Sequence, residues 1–161
     1  MRNVAPADPG VSAPEPASSA HSGLEVVVIH TSVRQTLAAL RAAGSLAAGL
    51  GARIQMVVPQ VVPFPAPLDQ PLVDARFSER KFRTIAEESS VETRVDICLC
   101  REWRDGVLHC LKPRSTVVLG TAKHWWQSQR ERRLARTLRQ HGHQVILATC
   151  GAAATFGGAD A

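Results

Sequence analysis

Four short apolar runs constrain the fold of this chain more than any other feature. They are LEVVVI (Leu24 to Ile29), IQMVV (Ile54 to Val58), STVVL (Ser115 to Leu119) and VILA (Val145 to Ala148). The first is rich in β-branched residues, short, and lacks polar alternation, as expected of a strand buried on both faces, and the other three are read as strands. A fifth strand is read over Val91 to Leu99. Between them lie stretches long enough for helices. Ser32-Val33-Arg34-Gln35 is a capping-box pattern, and the helix it opens carries Leu37, Leu40, Ala47 and Leu50 and stops at Gly51. A second helix is read from about Pro71 to Ser89, with Phe82, Ile85 and Ala86 on one face and Phe77 off it. A third runs from Glu102 to Leu111, ended by Pro113. Ser128-Gln129-Arg130-Glu131 is a second capping box; its helix carries Leu134 and Leu138 and closes at Gly142. Pro59, Pro63, Pro65, Pro67 and Pro71 mark an extended connection after the second strand, since proline donates no ladder bond.

This order, β-α-β-α-β-α-β-α-β, predicts an α/β fold: a doubly wound, five-stranded parallel sheet in the order 3-2-1-4-5. Its switch point lies between strands one and four, so a ligand is expected near His30-Thr31-Ser32 and the stretch Gly120 to Gln127. The length of 161 residues fits one domain over residues 23–150. Residues 1–22, mostly Ala, Pro and Ser, read as a disordered tail, and Gly-rich residues 151–161 as a flexible one. No apolar run is long enough to span a membrane, and no signal-like apolar region follows the N-terminus. The expected location is cytoplasmic.

VVVIHTS, the long Ala/Leu helix, IQMVVP, STVVLGTAK and LARTLRQHGHQVILA together resemble the universal stress protein family over residues 24–149. The resemblance implies a universal-stress-protein, adenine nucleotide alpha hydrolase-like fold. It aligns His30 with an Asp common in the family and Ser32 with its Ser or Thr. Nucleotide-binding members carry G-x2-G-x9-G-[ST] after strand four. Gly120 matches the first Gly, but Lys123, Arg133 and Leu134 occupy the remaining positions. Those glycines let backbone N–H groups approach phosphates. The resemblance therefore implies the glycine-poor, non-ATP-binding branch: a regulatory or stress-response module, not an enzyme, with no cofactor. It also implies a homodimer through the last strand, Val145-Ile146-Leu147.

The alternative is a small-ligand site for a nucleotide such as ATP or AMP, built from His30, Thr31, Ser32, Gly120, Thr121, Lys123, Trp125 and Arg130. Trp125 and Trp126 could pack on the sheet, close a dimer or stack on a base. The net charge of +5 admits an anionic partner. Residues 123–143 hold six Lys or Arg against one Glu, with Arg132, Arg136 and Arg139 opposite Leu134 and Leu138. That pattern fits a solvated helix face; nucleic-acid binding is not expected, because no aromatics interleave the arginines. Cys98 and Cys100 share one strand face, with Cys110 on the next helix. They read as buried free thiols, with Cys100 the candidate redox thiol near a helix start. His141 and His143 are expected on helix-terminal carbonyls. No metal set and no catalytic motif appears.

Overall fold

Successive residues of a strand point to opposite faces of its sheet. In this chain both faces find a helical layer. In the computed structural model, which describes residues 24–68, 75–123 and 128–151, β1 spans Glu25–Ile29 and α1 Val33–Leu50. β2 spans Arg53–Val61, α2 Ala75–Ala86, β3 Thr93–Cys100 and α3 Trp103–Cys110. β4 spans Thr116–Thr121, α4 Gln129–Gln140 and β5 Gln144–Thr149. The strands form one sheet ordered β3-β2-β1-β4-β5, with every neighbouring pair parallel. This is the predicted doubly wound order.

Val26 and Val28 of β1 pack with Ile54, Met56 and Val118 against α1 and α2. Val27 and Ile29 pack with Val57, Val117 and Leu119 against Val107 of α3 and Leu134, Ala135 and Leu138 of α4. Residues 26–29 of β1 and 117–119 of β4 are apolar throughout because each side chain, whichever face it takes, meets a helix. Gly51 closes α1 in the left-handed region, at φ 62°, as its position predicted.

Several boundaries differ from the sequence reading. β2 runs through Pro59 to Val61 rather than stopping at Val58. Odd-numbered residues of β2 turn their backbone groups toward β1: Arg53 N–H donates to Leu24, and Val57 accepts from His30 N–H. Pairing with β1 ends at Val57. Pro59 therefore faces a side that has no neighbour, and its missing N–H forfeits nothing. β4 continues through Gly120 and Thr121, which pair with Ala148 and Thr149, so these two residues belong to the sheet and not to a loop. The second capping box does not form. Ser128 Oγ accepts from Ala122 N–H at 2.7 Å and makes no helix cap bond. It ties the end of β4 to the start of α4, while Glu131 is buried in the first turn.

Cys98 and Cys110 are bonded as a disulfide between β3 and the last residue of α3, with Cα atoms 6.8 Å apart. This corrects their reading as free thiols. The phase of α3 turns Cys110 toward the face of β3 that carries Cys98. The tails at 1–22 and 152–161, the expected helix start at Pro71, the Phe77 side chain, and the loop residues His124, Trp125 and Trp126 lie outside the described residues. No helix among the described residues is long and apolar enough to cross a membrane.

Candidate functional site

The crevice that the topology singles out is built by the end of β1 and the first turn of α1. Ser32 caps α1: its Oγ accepts from Gln35 N–H at 3.4 Å. Gln35 Oε1 in turn accepts from Ser32 Oγ at 2.8 Å and from Thr31 Oγ1 at 3.0 Å. Thr36, fully buried, uses its hydroxyl twice. It accepts from Thr31 N–H at 3.3 Å and lies 2.9 Å from His30 Nδ1. The Thr36 hydroxyl and His30 Nδ1 share one hydrogen bond, whose donor is set by the imidazole tautomer.

His30 also meets the edge of Phe82 on α2, with ring centroids 4.6 Å apart. Burial, with Lys81 nearby adding positive charge, lowers its pKa to about 4. It is therefore neutral near pH 7. It is a satisfied histidine, held by Thr36 and Phe82.

Gly120 is the other residue that the crevice requires. A Cβ at this position would collide with the backbone carbonyl of Gln35. Its role is to let the first turn of α1 lie directly on β4. Thr121 is buried and turned toward β5, with its Oγ1 3.5 Å from Ala148 O and from Thr149 Oγ1. Of the candidate ligand residues, then, His30, Thr31, Ser32 and Gly120 converge, but they do so around Gln35 and Thr36 of the same chain. Lys123 is exposed, and Trp125 lies outside the described residues.

Arg130 takes a different position. Its guanidinium lies over the indole of Trp103, 3.9 Å from the ring centroid. The pair stands in a groove of about 520 Å³ between the starts of α3 and α4, also lined by Glu102, Arg104, Gln129, Arg133 and Leu134. The layers differ: Phe82, against His30, packs with α1 and α2, whereas Trp103 packs with the α3 and α4 core. Trp103 was missed in the sequence. Its signal was its place at the first position of a helix that follows a strand end.

Cys100 is free and buried, beneath Gly106, where an added Cβ would lie only 2.6 Å from its sulfur. Burial raises its pKa, and Asp105 raises it further. This is opposite to the lowering expected of a redox-active thiol. His141 Nδ1 meets Thr137 O at 2.8 Å, as expected at a helix end. His143 donates its backbone N–H to the helix-terminal carbonyl of Leu138 at 3.0 Å, while its Nδ1 accepts from Ser115 N–H at 3.2 Å. Among the described residues no group of three or more His, Cys, Asp or Glu is arranged to hold a metal ion.

No protein-family model matches the sequence, and no curated protein matches it. Solved structures do. A universal stress protein solved in complex with cAMP is 14% identical with a TM-score of 0.52, over 80% of this chain and 98% of its own. A protein of the universal stress protein family from Burkholderia pseudomallei is 23% identical with a TM-score of 0.53, over 76% of this chain and 93% of its own. Sheet order, helix placement and these likenesses agree: the chain has the fold of the universal stress proteins.

Proposed function

We propose that this protein is a non-catalytic regulatory module of the stress-response type that acts through protein contacts, first of all with a second copy of itself. One observation carries this reading: the character of the β5 edge. β5 is the last strand of the sheet. Its even-numbered residues turn toward β4, as Gln144 N–H shows by donating to Ser115. The backbone groups of Val145, Leu147 and Thr149 therefore point outward. Arg139 occupies the Val145 carbonyl at 3.1 Å. Ile146 and Leu147 remain 41% and 37% exposed, one on each face of the edge. The opposite edge strand, β3, carries instead an Arg94–Asp96 ion pair at 2.8 Å. Charged edges resist pairing, whereas apolar edges invite it.

Sedimentation velocity at tens of micromolar should give a dimer, and Leu147→Lys should give a monomer of unchanged circular dichroism. A monomeric parent protein at that concentration would contradict the reading.

A second reading has the crevice hold a nucleotide, through His30, Ser32, Lys123 and Arg130 with Trp125 stacking. It is supported by the similar fold solved with cAMP. The geometry weighs against it: His30 is engaged with Thr36 and Phe82, and Arg130 stands in the groove between α3 and α4, whose lining includes none of the crevice residues. Titration calorimetry with ATP and AMP separates the two readings.

A further inference from the structure

We infer that the groove between α3 and α4 is a binding site for single-stranded nucleic acid. The sequence argued against such a partner because no aromatic residue stands among the arginines of α4. The fold supplies two from elsewhere. Trp103 enters from α3 and carries the Arg130 guanidinium on its ring at 3.9 Å. Phe64, from the connection after β2, is 81% exposed and carries Arg101 at 4.1 Å. Arg101 is itself anchored by bonds from Nη1 to Val62 O at 2.9 Å and Ala66 O at 2.8 Å. That anchoring fixes the Phe64 platform before any ligand arrives.

Arg101 and Trp103 are two residues apart, so their Cα atoms lie within about 7.6 Å of each other. The Arg101–Phe64 stack therefore stands beside the groove wall, which Phe64 itself does not line. Beside Trp103 stand Arg104 and Arg133, both exposed, and among the described residues their one ion-pair partner is Glu102, 3.9 Å from Arg104. Three arginines against one glutamate leave the groove positive.

The stacked pairs favour nucleic acid over an acidic protein segment. Carboxylates need the arginines but have no use for flat platforms. A base stacks on an aromatic ring or on the plane of a guanidinium, while its phosphates meet the free arginines. Stacking needs unpaired bases, which selects single strands over duplex. The site lies away from β5, so it stands or falls independently of dimer formation.

The test is fluorescence anisotropy of labelled oligothymidylate and oligouridylate of about 12 nucleotides with the full chain at low salt. Saturable binding is expected, weakening with salt at a log–log slope of about −1.4, from Arg104 and Arg133 at about −0.7 each. Arg130→Ala and Arg133→Glu should each weaken binding roughly tenfold or more, and Phe64→Ala roughly fivefold or more. Phe64 is so exposed that its removal leaves the core intact. Trp103→Phe should keep a platform and bind near the parent level. A preference for either oligomer supports the proposal. Absence of binding at low salt would overturn it. Binding indifferent to both Phe64→Ala and Arg130→Ala would also overturn it, as would equal competition by polyglutamate of matched charge, which would point to an acidic protein partner.

Discussion

The crevice beside β1 and the groove beside α3 belong to the same end of one sheet, yet they treat their polar groups in opposite ways. In the crevice, Thr31, Ser32, Gln35, Thr36 and His30 satisfy one another, and Gly120 removes the last space between α1 and β4. In the groove, Trp103, Arg104, Arg130 and Arg133 line open volume. The difference teaches that topology marks where a site can be, while side-chain partnership decides which side of that place remains available. A polar group with an internal partner must break that bond before it can meet a ligand.

The comparison can be broken most forcefully at Gly120. Gly120→Ala places a methyl group into the Gln35 backbone, so urea unfolding should show a loss of about 3 kcal/mol or more. A loss below about 1 kcal/mol would mean that α1 can lift from β4, and that the crevice is not closed. On the other side of the sheet, the disulfide fixes α3, whose first residue bears the groove's indole. Reduction, or Cys110→Ser, should lower stability by about 3 kcal/mol for a loop of this length. The oligonucleotide affinity of the groove should fall with it if α3 must be fixed.

Acid should act on the crevice through His30, while His143, whose pKa burial also lowers, adds an effect of the same sign beside β4. His30 titrates near pH 4 in the fold and near 6.5 when unfolded. The folded state disfavours the charged form, so the contribution of His30 is complete above pH 6.5 and is lost as pH falls from there toward 4. Allowing for its partial exposure, the loss is about 2 kcal/mol. His30→Asn should flatten that part of the stability–pH curve, and an unchanged slope would contradict the assignment. The smallest effect belongs to the outer face of α4: Arg132→Ala should change stability by less than about 0.5 kcal/mol.

The sheet was largely legible in the sequence because burial on both faces leaves a compositional trace: LEVVVI and STVVL can hardly be anything but central strands. The order followed from right-handed crossovers. What could not be read depended on neighbours. Pro59 looked like a strand end because the proline rule supposes a partner on both sides, and β1 stops two residues short of it. Ser128 matched a capping box, but a competing acceptor role toward Ala122 claimed its hydroxyl. Gly120 looked like the start of a phosphate loop, yet its missing Cβ answers to Gln35. The Cys98–Cys110 bond and the Trp103–Arg130 stack join elements whose relative phase no local pattern contains. Among the candidate ligand residues, chain position was sound for His30, Thr31 and Ser32. Their internal engagement was visible only once Thr36 and Phe82 were placed beside them.

The central claim is that the polar residues of the crevice serve one another and not a nucleotide. Calorimetric titration of the purified protein with ATP and AMP, with magnesium present, addresses it most directly. The account predicts no saturable heat at the crevice, and the same null result for His30→Asn and Ser32→Ala. Micromolar binding that is lost in those two variants would contradict it, and would make the crevice the working site of the molecule.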